Sequence, residues 1–485
     1  MDVLVPASKM LHSTLEENLQ EISSALHHSA DVVIRKLEIG TKKTLSVAVI
    51  FVEGLVDTKE INERIIDTLM FRMTEYDTDS FFQTNSLPRV PVPIANIKQI
   101  GDFHSLLSSI LTGETVILFE GLNIGIVADT REAKDRGVEK PTSQTVIRGP
   151  QEGFTEALQT NIVLIRKKIT STNLTVTKKV MGNVTKTNVA VLYLSGTADN
   201  DVVSEVFQRL ERIDLDGILE GSYIEDFIQD AKYSPFPTVY NTERPDTAVA
   251  GLLEGKVIIL VDGTPFVLII PCLFINFLHA AEDYYHRWDY GFTRLMRFIS
   301  YLYSLLAPAF YIAITTFHHE VLPPSLLVSL SAQREGVPFP AFIESLIMIA
   351  AFELLNEAGV RMPKAVGSAI SIVGALVLGQ AAVEAGFVSA AMVIVVSSTA
   401  ISSFVIPSIV AAIPVRLLRY GFMAIAASFG LYGIYIGVVA MLLHLCSLRS
   451  FGVPYMSPIA PLRKEDLNDS VLRFPAWGRQ SQKKR

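Results

Sequence analysis

Long apolar runs fill the second half of the chain and restrict the folds open to it. The segments Phe298–Phe317, Phe387–Ile406 and Gly421–Leu445 are each mostly apolar. Each is long enough for a helix to cross the hydrocarbon core of a membrane, which takes about 20 residues. Residues 366–383, rich in small side chains, form a fourth candidate span. Residues 276–450 are therefore expected to form a polytopic α-helical membrane domain.

The first 245 residues carry most of the charge and have the composition of a water-soluble protein. The net charge of -7 provides no basic surface for nucleic acid. The N-terminus lacks a basic flank followed by an apolar core and a small-residue cleavage site. No secretory signal is predicted, so the soluble half is expected to stay on the cytoplasmic side.

Two pairs of segments in the soluble half match at one spacing. SVAVIFVEGLVD from Ser46 corresponds to NVAVLYLSGTAD from Asn188, and GETVILFEGLNIGIVAD from Gly113 corresponds to GKVIILVDGTPFVLIIP from Gly255; the two offsets are identical. Such a repeated match predicts tandem subdomains of mixed α and β structure. Because residues 257–270 align with a plainly soluble segment, they are predicted to be strands rather than a membrane span.

The resulting division has five parts. It comprises an N-terminal helical extension (1–40), soluble subdomain 1 (41–145), a linker helix with soluble subdomain 2 (146–275), the membrane domain (276–450) and a basic C-terminal tail (451–485). Pro150 is expected in the first turn of the linker helix, where the helix dipole would favour Glu152.

The number of spans is left open by the sequence. Residues 341–363 are apolar but contain three glutamates, so they either cross within an assembly or lie in the interface as an amphipathic helix. Residues 322–340 are bounded by prolines and are expected to form a re-entrant or surface piece. Four spans put the basic tail inside but Arg416 and Arg419 outside; five spans do the reverse. Four are preferred.

A single charged residue, Glu384, lies between Lys364 and Arg416, and Gln380 precedes it by one helical turn. A charge at the centre of a bilayer costs about 2.5–3.5 kcal/mol and usually faces protein or water. If the helix continues that far, the two residues share a face and are candidates for a pore or gate in an oligomer. The alternative is that Gly379–Gly386 is a turn between helices, with Glu384 in the interface.

Several stretches together resemble one family, the A subunit of bacterial spore germinant receptors (the GerA family). These stretches are VIRGPQEGF (146–154), YSPFPTVYNTERPD (233–246), ILVDGTPFVLIIP (259–271), EDYYHRW (282–288), REGVPFP (334–340), ELLNEAGVRMP (353–363) and GQAAVEAGFVS (379–389). The resemblance covers residues 40–475.

The resemblance implies a nutrient-sensing receptor subunit in the inner membrane of the dormant spore. Such subunits work with a transporter-like B subunit and a lipoprotein C subunit, and are proposed to form an oligomeric channel that releases ions. By that analogy Gln380 and Glu384 are pore or gate candidates. The coupling or interface candidates are Arg148, Glu152, Glu243, Arg244 and Asp246. Their spacing alone favours a capped linker helix for the first two and a solvated loop for the other three.

Two other functions are alternatives to a channel. A non-conducting scaffold or signalling subunit of the same receptor is the main alternative. An enzyme is not expected, because the sequence has no Gly-rich phosphate loop, no zinc-protease motif, no nucleophile elbow and no Cys/His cluster. No metal or cofactor is expected either.

Overall fold

The structure, a computed structural model, describes the chain in several stretches. They are residues 9–39, 44–72, 94, 96–131, 140–141, 144, 146, 149–284, 290–361 and 379–462. These residues form two compact units. The first, called here the α/β unit, comprises the chain up to Gln229 together with Val239–Pro271. The second, the helical unit, comprises Asp230–Thr238 and the chain from Cys272 onward.

The α/β unit begins with a five-stranded antiparallel sheet in the order β1-β2-β4-β5-β3. Its strands are β1 (Val32–Ile39), β2 (Leu45–Val52), β3 (Ile97–Ile100), β4 (Thr115–Phe119) and β5 (Gly125–Ala128). Its helices are α1 (Leu15–Ala25), α2 (Thr58–Glu60), which continues as π-helical turns Ile61–Ile66 and Thr68–Arg72, and α3 (Phe103–Leu111).

Both faces of this sheet are buried. Successive side chains of a strand point to opposite faces, and β2 shows the consequence. Ile50 belongs to the core that α1 and α3 cover, whereas Val49 belongs to the core that includes Ile61 and Ile65 of the π-helical turns. Burial on both faces explains why β2, β4 and β5 appear in the sequence as nearly continuous apolar runs rather than as alternating ones.

A second five-stranded sheet repeats the same order, β6-β7-β9-β10-β8. Its elements are β6 (Leu174–Met181), β7 (Thr187–Leu194), β8 (Tyr240–Thr242), β9 (Val257–Val261), β10 (Val267–Ile270) and helices α4 (Leu158–Lys168), α5 (Asn200–Glu211), α6 (Gly221–Ile228) and α7 (Pro245–Leu253). Val47 pairs with Phe119 in the first sheet and Val189 with Val261 in the second. Both partners are displaced by the offset that the sequence matches show, so the predicted duplication is confirmed, as are the strands within residues 257–270.

The repeat starts earlier than the sequence matches. The Asn18 side chain accepts from the His12 N–H at 2.9 Å and donates to the His12 carbonyl at 2.8 Å. Asn161 makes the same pair of bonds to Thr155, at 2.8 and 2.6 Å. Helices α1 and α4 are therefore equivalent first helices of the two repeats. The structure places the helix of the expected N-terminal extension inside the first repeat, and the expected linker helix inside the second.

Helix α4 begins later than predicted, so the placement of Pro150 in its first turn is wrong. The first helical residue is Leu158, whose N–H donates to Asp262 Oδ1 at 3.0 Å. Pro150 and Glu152 lie in the non-helical segment before it. Glu152 is exposed and pairs with Lys168 Nζ at 2.8 Å, so it does not lie at the N-terminus of the helix.

Besides a short helical stretch at residues 379–384, the described part of the helical unit contains five α-helices. They are α8 (Tyr290–Thr316), α9 (Pro324–Arg334), α10 (Ala341–Arg361), α11 (Ala390–Phe404) and α12 (Ile409–Ser447). Short 3-10 helices lie at Phe274–Leu278, Ala281–Tyr284 and His319–Val321. Strands β11 (Arg449–Ser450) and β12 (Val453–Pro454) form a hairpin. Helix α8 packs most extensively on α12.

Two of the described helices, Gly291–Thr316 and Ile409–Ser447, are long and apolar enough to cross a membrane. They contain the predicted span from Gly421 and all but the last residue, Phe317, of the predicted span from Phe298. Helix α11 is shorter than its predicted span: its 15 residues extend about 22 Å, against about 30 Å for the hydrocarbon core. Ser389 caps its start and Pro407 follows its end. The fourth candidate, 366–383, lies mostly outside the described residues.

Helix α12 begins before the predicted span and is interrupted at Gly430. It starts at Ile409 rather than Gly421, so Arg416 and Arg419 lie within the helix and not ahead of it. At Gly430 the backbone has φ +63° and ψ -144°, which interrupts the helical conformation. A straight helix of 39 residues would extend about 58 Å, nearly twice the hydrocarbon thickness.

Candidate functional site

The polar pair that the sequence singles out lies at the end of a short helical stretch, residues 379–384. Gln380 Nε2 donates to Glu384 Oε1 at 2.9 Å, and both side chains are exposed. Gly386, with φ +70°, lies in the turn that follows. The two residues therefore share a helix face, and a turn separates them from α11.

The loop between α9 and α10 packs against this turn. The rings of Phe339 and Phe387 are stacked, with centroids 6.4 Å apart and an interplanar angle of 14°. A Cβ built on Gly386 would lie 3.4 Å from the carbonyl oxygen of Gly336. The stretches REGVPFP and GQAAVEAGFVS, which the whole of α10 separates in the sequence, thus form one structural junction. Sequence reasoning did not bring them together.

A buried carboxylate binds the end of this junction through hydrogen bonds. Glu344 of α10 is fully buried, and its Oε1 accepts from Ser389 N at 2.6 Å and from Ser389 Oγ at 2.5 Å. Ser389 is the N-cap of α11, where the helix dipole favours a negative charge. Arg334 Nε lies 3.9 Å from Glu344 Oε2. The sequence signal for this site is a glutamate inside an apolar helix, but the sequence does not show which residue it contacts.

A second group of charges lies between α10 and α12. Glu353 is 3.6 Å from both Arg416 Nη1 and Arg419 Nη1. Arg419 is buried, and its Nε donates to the carbonyl oxygen of Ser304 in α8 at 2.8 Å. These arginines therefore join three helices. The four-span topology stays a prediction.

Three of the coupling candidates come together in the α/β unit. Arg244 and Asp246 form a buried ion pair through two bonds, Nε–Oδ1 at 3.1 Å and Nη2–Oδ2 at 2.6 Å. Arg244 Nη2 also donates to the carbonyl oxygen of Pro150 at 2.8 Å. Glu243 Oε1 accepts from Gln144 N at 3.1 Å. The cluster thus holds the segment that joins the two repeats against the edge strand β8.

The other two coupling candidates are placed differently. Glu152 pairs with Lys168, as described above, and Arg148 lies outside the described residues.

The stretch 233–246 is divided between the two units. Residues 239–246 belong to the α/β unit, whereas Asp230–Thr238 belongs to the helical unit and is called here the strap. Within the helical unit, Ser450 Oγ donates to the Thr238 carbonyl at 2.7 Å, and Ser234 Oγ lies 2.9 Å from His444 Nε2. Covalent continuity therefore links the Arg244 cluster to a segment held by the end of α12.

The chain is similar in sequence to known proteins. The family model of the Bacillus/Clostridium GerA spore germination protein matches residues 20–485. Spore germination protein KA of Bacillus subtilis is 46% identical over 472 residues, covering 96% of this chain and 86% of that protein. A membrane protein of the same organism, YfkQ, is 39% identical over 466 residues, covering 96% and 89%.

A solved structure is also similar to the chain. It is the crystal structure of the N-terminal domain of the A subunit of the Bacillus megaterium spore germinant receptor GerK3, with 34% identity and a TM-score of 0.43. The similarity covers 55% of this chain and 98% of that one.

The fold defines a class of protein in which a duplicated α/β unit and a helical unit with candidate membrane spans belong to one chain. Within that class, the chain belongs to the GerA spore germination protein family.

Proposed function

We propose that the chain is the membrane subunit of a nutrient receptor that triggers germination, and that copies of it form a ligand-gated ion channel. It works with a transporter-like B subunit and a lipoprotein C subunit in the inner membrane of the spore, which it crosses several times. The germination role is supported by the family and by relatives such as spore germination protein KA. The two long apolar helices support a place in the membrane.

The observation that carries the channel proposal is the exposed pair Gln380 and Glu384. On a unit whose exposed side chains include many large apolar ones, an exposed carboxylate needs water or another subunit beside it. In this proposal the pair lines or gates the ion path of an oligomer. Glu344, through Ser389, holds the turn that carries the pair in place.

The same proposal gives the α/β unit a coupling role. A movement caused by nutrient binding reaches the buried pair Arg244 and Asp246 and the neighbouring Glu243, then the strap, and then the end of α12. We assign the same step to Glu152 and to Arg148, which lies outside the described residues. The continuous backbone from Thr242 to the strap supports this route.

Cation release from spores tests the channel part. Spores carrying Glu384→Ala or Gln380→Ala are expected to release monovalent cations about tenfold more slowly after nutrient addition, equivalent to about 1.4 kcal/mol in the barrier. Glu357→Ala is the matched control, because Glu357 is another exposed glutamate of the same unit, paired with Arg361 one turn away. Unchanged release kinetics in both test variants, at normal protein levels, would remove these residues from the ion path.

A further inference from the structure

Helix α6 in the second repeat has an unusual outer face. Its inner residues Ile224 and Ile228 are fully buried. Tyr223 and Phe227 are each 43% exposed, and Leu219, just before the helix, is 67% exposed. These three follow one another at every fourth position, so the two aromatic residues lie on one face of the helix and Leu219 precedes them.

The neighbouring helix shows what an ordinary outer face looks like in this unit. Helix α5 exposes Asp201, Ser204, Gln208 and Glu211, all polar. Large apolar groups that cluster on the surface of a soluble unit commonly mark a binding site. Aromatic residues are the anchors that most often carry the binding energy of protein interfaces.

The same segment is strongly acidic. Residues 211–230 contain seven carboxylates and one arginine. Burial, and then the neighbouring Asp226 and Glu220, raise the pKa of Glu225 to about 7. Negative charges are thus crowded around the aromatic face, and a positive group brought next to them is stabilised.

We propose that Leu219, Tyr223 and Phe227, together with Glu220 and Asp226, form a docking surface for a basic, apolar segment of another protein. We call it the acidic-aromatic surface. Apolar side chains of the partner bury the two rings, and its arginines or lysines pair with the carboxylates or lie over the rings. A membrane is a poor occupant, because the anionic surface of the inner leaflet repels a cluster of carboxylates.

Site-specific photo-cross-linking of the full chain in sporulating cells tests the proposal. A benzophenone-bearing phenylalanine analogue replaces Tyr223 or Phe227, which exchanges one exposed aromatic ring for another. Gln208, on the polar face of α5, is the control position. A cross-linked product is expected with the analogue at position 223 or 227 and not at position 208. Mass spectrometry is expected to show that the attached peptide comes from a different protein, carries a net positive charge and is rich in apolar residues.

A charge reversal supplies the second arm. Asp226→Lys, combined with the analogue at 223, is expected to reduce the product about tenfold, which corresponds to about 1.4 kcal/mol of binding free energy. Glu38→Lys makes the same charge change at an exposed position of the first repeat and should leave the product unchanged.

Four results would overturn the proposal, provided that the variants accumulate to normal levels: cross-links to phospholipid, cross-links to this chain, an attached peptide that is neutral or acidic, and no product at 223 or 227. Equal yields with Asp226→Lys and Glu38→Lys would also overturn it, because the carboxylates would then play no part.

Discussion

Replacing Arg166 by methionine should loosen the contact between the two repeats. Arg166, in the second repeat, and Asp31, in the first, are 1% and 0% exposed. Arg166 Nε lies 2.7 Å from Asp31 Oδ2, and Nη2 lies 3.0 Å from Asp31 Oδ1 and 3.0 Å from Ser29 Oγ. Ser29 Oγ in turn accepts from the N–H of Val176 in β6 at 2.9 Å. Side chains of one repeat thus bind the backbone and a charge of the other.

The magnitude follows from what the substitution leaves behind. Arg166→Met keeps most of the apolar stem but leaves the Asp31 carboxylate buried without its cation. Removing one partner of a buried ion pair costs about 3–5 kcal/mol, most of it from the uncompensated charge. The double variant Asp31→Asn/Arg166→Met removes both charges, so it should recover a large part of that loss.

Hydrogen exchange of the full chain in detergent measures this effect locally. A loss of about 3 kcal/mol accelerates exchange at least about 100-fold at amides that are protected by the contact between the repeats, around Ala30 and Val176. Arg64→Met is the control, because Arg64 is half exposed and its ion pair with Glu60 is a surface pair worth about 0–1 kcal/mol. Equal exchange in the Arg166 and Arg64 variants would refute the reasoning.

Three further predictions concern single side chains. Burial and neighbouring carboxylates raise the pKa of Glu225 from 4.5 to about 7, so the folded state binds the Glu225 proton more tightly than the unfolded state does. The free energy of unfolding therefore falls as the pH rises between those two values. Glu225→Gln should remove this fall, which melting temperatures at pH 5 and pH 8 measure. Gly430→Ala should destabilise the helical unit by about 1–3 kcal/mol, because φ is +63° and a Cβ would lie 2.6 Å from His318 Cε1; Gly421→Ala, at a helical position with open space, should not lower the melting temperature. Arg244→Lys keeps the charge but cannot make both hydrogen bonds to Asp246, so denaturant titration should show that the free energy of unfolding falls by about 1–3 kcal/mol. An unchanged unfolding midpoint would show that the Arg244–Asp246 pair does not stabilise the fold.

The duplication could be predicted because strands buried on both faces leave long apolar runs that match each other. The first helices were missed for a local reason. The spacing from Asn18 to Asn161 is longer by one position than the spacing from Val47 to Val189. A search at one fixed spacing therefore passes over these helices, and the structural equivalence depends on side-chain bonds that no pattern records.

The helical unit was harder to predict, because its charges pair across helices. Arg416 and Arg419 read as the flank of a span, yet both lie within α12 and face Glu353 of α10, far earlier in the chain. Glu344 and Ser389 are likewise distant in the sequence and joined only by the fold. A single sequence gives the apolar character of each helix but not the partner of each buried charge. The shared face of Gln380 and Glu384 was predictable, since it follows from their spacing of four.

Ion flux through the reconstituted receptor tests the central proposal most directly. The purified chain, placed in liposomes with its B and C partners, is expected to conduct monovalent cations when nutrient is added, and Glu384→Ala is expected to reduce that flux while Glu357→Ala does not. Liposomes that contain the assembled, folded proteins and never conduct, with or without nutrient, would contradict the channel and favour a non-conducting scaffold.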